Sequence, residues 1–287
     1  MPVNDELGMR MKEFYEEVPK TRLMRRTPVA IRIDGKAFHT FTRGFERPFD
    51  EVLIKAMQET MQYLCENIQG CVLGYTQSDE ITLILVDYKR LNSSAWFDYE
   101  VQKMCSIAAS MATMAFNRAF EKQYEEWGLA QFGEQWREGG FFSPADRELI
   151  NRSWTYGKAI EKGAIFDARC FNIPREEVTN LIYWRQLDAT RNSIQMVGQA
   201  YFSHNELQHK SCNVIQDMLH ELKGINWNDY PTHMKRGSCC IKEWYQSPEV
   251  DIKDGACPRS HWVIDTEIPI FKGEGREYIE KLIQPEE

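Results

Sequence analysis

The alternation in Val29-Ala30-Ile31-Arg32-Ile33 puts Val29, Ile31 and Ile33 on one face of a strand, because strand side chains repeat with period two. Asp34 falls on the opposite face at the C-terminal end, and Gly35 after it permits a sharp turn or a close approach to a ligand. Two more apolar runs, 71–75 and 81–86, predict a hairpin with Asp79 in or beside its turn. A fourth strand is expected over 163–171. Between the strands, Asp50 reads as the N-cap of a helix reaching about residue 68, with Leu53, Met57, Met61, Leu64 and Ile68 as its buried stripe and Gly70 ending it. A second helix is expected over about 96–121, with Phe97, Val101, Met104, Ala108, Met111 and Ala115 on one face. Residues 4–18 read as a short amphipathic helix on Leu7, Met11, Phe14 and Tyr15. The segment 122–160 has weak periodicity and reads as an insertion of short helices and loops. Pro174 opens another helix with Glu176 and Glu177 in its first turn. Residues 175–222 read as mostly helical. Beyond Gly224 the pattern gives loops and short strands, including 238–244 and 262–270.

The order strand, helix, strand, strand, helix, strand is the β-α-β-β-α-β ferredoxin-like pattern of a two-layer α+β fold. In that topology the first and third strands are central antiparallel neighbours. The end of the first then lies beside the start of the third, which brings Asp34 to Asp79 and Glu80 with no motif invoked. The apolar sheet face is expected to pack on both helices, leaving the other face for chemistry. No repeat or low-complexity linker divides the chain. It reads as one domain, 1–287, with a catalytic core over about 25–175 and a helical and C-terminal extension over about 176–287.

The chain has 287 residues, 43% hydrophobic and 27% charged, a composition typical of a soluble globular protein. No apolar run approaches the roughly 20 residues of a membrane helix, and residues 1–10 lack the apolar segment of a signal peptide. The eight cysteines include no C-x-x-C pair, which favours reduced thiols and a cytoplasmic location over disulfides or zinc. A net charge of −8 argues against a general nucleic-acid binder but leaves room for a local basic surface. The cluster Lys20, Arg22, Arg25 and Arg26 reads either as a solvated linker or as a phosphate-contacting segment that holds RNA.

Paired carboxylates on an open sheet face suggest Mg²⁺, which prefers oxygen ligands and is usually held by one or two carboxylates plus substrate phosphates. Two such ions serve phosphoryl chemistry by activating the attacking oxygen and stabilising the leaving one. Residues 35–39 offer backbone N–H groups to a triphosphate, and Lys36, Arg47 and Lys103 are candidate counter-charges. Singly, each signal is weak: an Asp-Gly pair is most often a turn, and a lysine most often solvated.

Taken together, Arg32-Ile33-Asp34-Gly35-Lys36 with Phe38-His39, then Gly74-Tyr75-Thr76-Gln77-Ser78-Asp79-Glu80, resemble the tRNA-histidine guanylyltransferase family. Phe49-Asp50, Phe166-Asp167-Ala168-Arg169 and Tyr183-Trp184-Arg185-Gln186 add to the resemblance, which runs over about 5–200. It implies a polymerase-like palm domain that adds nucleotides to the 5′ end of tRNA in the 3′→5′ direction, with GTP and ATP as substrates. It also implies a homotetramer. By motif, Asp34, Asp79 and the Gly35 carbonyl become the Mg²⁺ ligands and Glu80 a supporting catalytic acid. The nucleotide is then surrounded by Asp34, Gly35, Lys36, Ala37, Phe38, His39, Ser78 and Asp79. Arg47 stands where the family has lysine, a planar fork in place of a point charge. Eukaryotic members also carry His-Ile-Asn-Asn-Leu-Tyr-Asn after Trp-Arg-Gln. Here residues 190–196 read Thr-Arg-Asn-Ser-Ile-Gln-Met, and only Asn192 matches. That departure resembles the guanylyltransferase-like branch, which favours templated repair of tRNA 5′ ends. The alternative is histidine-specific guanylate addition. A nucleotide cyclase is a more distant reading, and no Gly-Gly-Asp-Glu-Phe sequence is present. A metal-dependent phosphohydrolase and a silent RNA-binding palm are the remaining alternatives, though a silent palm would be expected to have lost one of the two aspartates.

Overall fold

The computed structural model describes residues 5–138, 146–246 and 258–285. In chain order the elements begin with α1 (Glu6–Met11), followed by a π-turn, β1 (Val29–Gly35) and α2 (Phe38–Phe41). Next come α3 (Glu51–Asn67), the hairpin β2 (Cys71–Gln77) and β3 (Glu80–Leu85), and α4 (Val101–Phe132). Then follow α5 (Gln135–Glu138), α6 (Arg147–Lys162), β4 (Phe166–Asn172) and α7 (Arg175–Tyr201). The chain ends with α8 (His204–Leu207), α9 (Cys212–Lys223), α10 (Thr232–Arg236), β5 (Ser238–Gln246), β6 (Pro258–Asp265) and α11 (Glu277–Glu280).

One six-stranded sheet runs β4-β1-β3-β2-β5-β6, with every described pair antiparallel. Its first four strands have the ferredoxin-like order expected from the sequence. The C-terminal strands, expected only as short pieces, extend that same sheet through the pairing of β5 with β2.

Alternation sorts the side chains. Val29, Ile31 and Ile33 of β1 join Ile81, Leu83 and Leu85 of β3 under α3 and α4, where Met57, Met61, Leu64, Met104, Ala108 and Phe116 complete the core. Gly74 is required on β2 because a Cβ there would lie 2.6 Å from Cys65 Sγ of α3. The opposite sheet face is less open than the sequence suggested. Ala30, Leu73, Tyr75 and Ile84 are covered by Val178 and Ile182 of α7 and by Phe271 and Ile279 from the C-terminal segment. The end that carries Asp34 stays polar.

Two helical expectations are corrected. Residues 96–99 form a 3-10 turn, with Phe97 and Asp98 in the left-handed region, and α4 starts only at Val101. That helix then runs on to Phe132 because Phe116, Phe120, Tyr124 and Trp127 continue its apolar stripe, and the aromatic rings pack on one another and on Tyr156 of α6. The expected insertion over 122–160 is therefore mostly two helices, with 139–145 outside the described residues. At the N-terminus no residue of α1 or of the π-turn is buried. The described cysteines are free thiols, and among the described residues no helix is long and apolar enough to cross a membrane.

Candidate active site

In the β1–β3 register Asp34 stands opposite Glu80, and in the β1–β4 register opposite Asp167. The Ser78-Asp79 turn closes the hairpin, with Gln77 paired to Glu80 and Ser78 at φ 50. The Gly35 amide donates to the Asp79 carbonyl at 3.0 Å, so the two acidic motifs are tied by backbone as well as by register. Gly35 has no room for a side chain: a Cβ would lie 2.2 Å from the Phe38 ring. That ring is fixed in turn by Phe41, Phe116 and Phe166, with centroids 5.0–5.5 Å away.

Both aspartates are half-buried. Burial raises the Asp34 carboxyl above its ordinary range, and the negative charges of Glu80 and Asp167 raise it further. Burial likewise raises Asp79, against a hydrogen bond from the Ser78 hydroxyl at 3.0 Å that favours the carboxylate. Among the described residues neither aspartate forms an ion pair; the arginines nearby are engaged elsewhere. Two crowded carboxylates lacking a protein counter-charge, beside a backbone carbonyl, suit a hard cation. Among the described residues no third acidic residue, histidine or cysteine completes a metal cluster there. That donor set fits Mg²⁺, which keeps waters and takes substrate phosphates into its remaining positions.

Glu80 differs from its two acidic neighbours. It is 8% exposed and sits between two guanidinium groups, with Arg32 Nη2 at 2.7 Å and Arg185 Nε at 3.0 Å. The first contact is a well-formed hydrogen bond; the second is a charge contact off the hydrogen-bond line. Arg185 also donates to Asp188 at 2.6 Å. Glu80 thus joins the palm strand to α7, and its carboxylate is already spent on that task.

A cleft of about 640 Å³ opens beside Asp79. Its wall includes Gly35, Ala37, Phe38, His39, Ser78 and Asp79 from the predicted set, together with Arg47. Phe38 and His39 open α2 and have no intrahelical acceptors for their amides. The Gly35 and Lys36 amides are engaged, with Asp79 and Ile165 carbonyls respectively, so only part of the expected amide cradle faces a ligand. The Lys36 side chain is exposed and does not line the cleft.

Sequence reasoning missed Arg43 and Gln199 in this wall and named Met196 only within the divergent stretch 190–196. Arg43 shares the loop of Arg47, whereas the α7 residues come from a segment distant in sequence. Asp50 holds the loop in place. Its carboxylate accepts from the Glu46 and Leu53 amides at 2.9 Å each and from the Tyr156 hydroxyl at 2.7 Å.

Other predicted residues lie elsewhere. Lys103 is in the first turn of α4, 4.9 Å from the Phe97 ring centroid. Thr113 of the same helix accepts from the Phe166 amide near the carboxylates, so Lys103 lies about 15 Å back along the axis. Arg22, Arg25 and Arg26 precede β1 at the sheet's far end. Arg25 is engaged with Asp87 at 2.6 Å and Asp98 at 3.1 Å, Arg22 lies 3.5 Å from Asp98, and Arg26 is exposed.

A family model described as tRNAHis guanylyltransferase matches residues 8–174, more than half of the chain. The chain belongs to the tRNA(His) guanylyltransferase family. Members of this family are nucleotidyltransferases, and this chain is an enzyme of that class. A solved bacterial tRNA(His) guanylyltransferase-like protein in complex with ATP is 38% identical, with a TM-score of 0.75 over 97% of this chain and 99% of that one. A bacterial structure of the same description in complex with GTP is 37% identical with a TM-score of 0.71, over the same shares of the two chains. The tRNA(His) guanylyltransferase of Schizosaccharomyces pombe is 24% identical over 243 residues, which are 78% of this chain and 79% of that protein.

Proposed function

We propose that this protein adds nucleotides to the 5′ end of tRNA in the 3′→5′ direction, restoring truncated ends against the opposite strand as template. One observation carries the reading. Asp79 lines a cleft whose wall also holds Arg43, Arg47 and His39, and Asp34, which does not line it, stands on the paired strand end directly before Gly35 of that wall; neither aspartate has a protein counter-charge among the described residues. The ATP and GTP in the two bacterial structures support a nucleoside triphosphate as the occupant of that cleft, and the naming of the relatives supports tRNA as the acceptor.

Asp34, Asp79 and the Gly35 carbonyl would hold Mg²⁺, two ions by the logic of phosphoryl transfer. When bound, the metal supplies charge neutralisation at the reacting phosphates and acidifies the attacking hydroxyl. The chain's own groups do the rest. Arg43 and Arg47 neutralise the triphosphate of the incoming nucleotide, with the first amides of α2 as further donors. These positions, and not Lys103 of the same subunit, lie nearest the phosphates. Ser78 fixes the Asp79 carboxylate.

On a 5′-monophosphate, a phosphate oxygen displaces pyrophosphate from ATP, leaving an adenylylated end. The 3′-hydroxyl of the incoming nucleotide then attacks the RNA 5′ phosphorus. A phosphodiester forms, AMP leaves and the hydroxyl proton passes to water. On a 5′-triphosphate end, pyrophosphate leaves instead.

The repair assignment rests on residues 190–196. Asn192, Ser193 and Met196 line a pocket beside Ser78. The imidazole, two of the three amides and the phenol of the eukaryotic pattern are replaced by groups that cannot reproduce that set. The test gives one enzyme preparation two substrates: a tRNA lacking its first 5′ nucleotide, and an intact histidine tRNA that needs one extra guanylate. Faster addition to the first is expected. Equal or faster addition to the second overturns the repair assignment in favour of histidine-specific addition, and absence of any addition overturns the polymerase reading.

A further inference from the structure

Trp184 is the most exposed aromatic ring beside the acidic motifs. It is 52% exposed although it belongs to α7, whose neighbouring Ile182, Arg185 and Gln186 are buried. The ring is not loose. The Arg185 guanidinium lies 4.1 Å from its centroid and that of Arg32 5.4 Å away, and both cations are pinned by Glu80. Arg32 and Asp34 point to the same face of β1, two residues apart, so the ring stands over the polar end of the sheet next to the reacting centre.

Trp184 does not line the nucleotide cleft. The α7 residues that do, Met196 and Gln199, lie twelve and fifteen positions further on, about 18–22 Å along the helix axis. Between these stations α7 passes Glu80, through Arg185, and Ser78, through Asn192 and Ser193. Asp79 lies between those two hairpin residues. The reacting carboxylates are therefore flanked along one helix, by the cleft on one side and by the braced indole on the other.

We infer that Trp184 is a stacking platform for the terminal nucleobase at the RNA 5′ end, held on the side of the carboxylates opposite the incoming nucleotide. This rests on the RNA 5′ end being the acceptor. Transfer requires that end and the incoming 3′-hydroxyl to meet at Asp34 and Asp79. With the cleft occupied by the nucleotide, the polar sheet end under Trp184 is the approach left to the RNA. An indole suits the task because every base offers a π-face, so stacking does not depend on sequence. Its two guanidinium supports fix it in advance, so little order is lost when a base arrives. Arg169, opposite Arg32 on β4 and exposed, stands on the same approach as an ion pair with Asp167 at 3.3 Å.

The experiment uses a tRNA with 2-aminopurine at its 5′ terminus, with the full-length wild-type protein, Trp184→Phe and Trp184→Ala. Binding is read by anisotropy of a 3′ label, stacking by quenching of the 2-aminopurine, and addition under single-turnover conditions. In Trp184→Ala the RNA half-saturation concentration is expected to rise about 10–100-fold, in line with the loss of one base–aromatic stack, and the quenching to disappear. Trp184→Phe is expected to stay within about 3-fold of wild type on the same scale, and the KM for the nucleotide to be unchanged in both variants. Unaltered RNA binding and quenching in Trp184→Ala overturn the inference. So does a loss that falls on the nucleotide KM, or one that Phe fails to rescue. Binding and quenching are read whether or not nucleotides are added, so failure of the polymerase reading shows separately, as wild-type protein that binds RNA without extending it.

Discussion

Replacing Glu80 with glutamine separates its two conceivable roles. As a metal ligand it would resemble Asp34 and Asp79, and neutralising it would relieve repulsion. As the bridge seen here it holds Arg32 at 2.7 Å and Arg185 at 3.0 Å, with side-chain exposures of 18%, 6% and 10% for Arg32, Arg185 and Glu80. Glutamine keeps the shape and one acceptor but removes the charge. Arg185 retains Asp188, whereas Arg32 is left without a carboxylate. Removing one partner of a buried ion pair typically costs about 3–5 kcal/mol, and the surviving acceptors put this case at the lower end. Unfolding entropy near 2.1 cal/mol/K per residue makes a loss of about 3 kcal/mol equal to a drop in Tm of about 5 °C for a chain of this length. The assay is thermal unfolding by calorimetry with EDTA and again with Mg²⁺ and a nucleoside triphosphate. The bridge predicts the same fall in both conditions, with the ligand-induced rise in Tm preserved and nucleotide addition slowed but present. A Tm equal to or above wild type in EDTA, together with loss of the ligand-induced rise, would refute the bridge and make Glu80 a metal ligand.

Asp34→Asn and Asp79→Asn are each expected to abolish addition while making the metal-free protein more stable at neutral pH. Because both folded carboxyls are raised above their unfolded values, the folded state holds more protons between the two, so stability falls as pH rises through that window and the penalty is full above it. The Asn variants lack that fall, and Tm against pH in EDTA reads it; parallel curves for wild type and variants would contradict it. Arg43→Ala and Arg47→Ala should each raise the nucleotide KM about tenfold, the scale of a charge-assisted contact, with RNA half-saturation unchanged; a shift confined to the RNA would move these arginines to the acceptor side. In Gly35→Ala the new methyl meets the Phe38 ring within a packed aromatic cluster, and overpacking of this kind costs about 1–3 kcal/mol. A Gly35→Ala protein with wild-type Tm and activity would show that the close approach of strand and ring is dispensable.

The convergence of Asp34 and Asp79 was legible because two local signals, strand alternation and a turn between apolar runs, combine with a topology that leaves few arrangements. The stripe of α3 was legible too, and its exception is informative: Leu53 keeps the helical spacing but is only half-buried, because it walls the cleft. The continuation of α4 was hidden by Glu121, Lys122, Glu125, Glu126 and Gly128, which blur a stripe carried by Phe120, Tyr124 and Trp127. In α6 the aromatic residues mislead in pairs, since Trp154 is 67% exposed while Tyr156 is fully buried against Asp50. The bridge from Glu80 to Arg185 had no local signature at all. It joins residues that only the folded chain brings together, and a glutamate next to Asp79 in sequence reads as a supporting catalytic acid until its counter-charges are seen.

The placement of α7 keeps the reacting carboxylates apart from the positions proposed to select substrate. The carboxylates sit on strand ends whose positions follow from sheet register and from the Gly35–Asp79 hydrogen bond, none of which involves α7. The positions proposed to meet substrate, in contrast, are spread along that helix: Trp184 on the RNA side, Asn192 beside the turn, Met196 and Gln199 on the cleft. Substitutions on the exposed or cleft-facing positions of α7 can alter which RNA end or nucleotide is accepted without moving the reacting groups. Arg185 cannot vary in the same way, because it ties the helix to Glu80 and so sets the distance between selection and chemistry. The departure at residues 190–196 falls on the variable part and leaves the tie intact. That pattern is the one expected of a chain that keeps the transfer reaction and changes its acceptor.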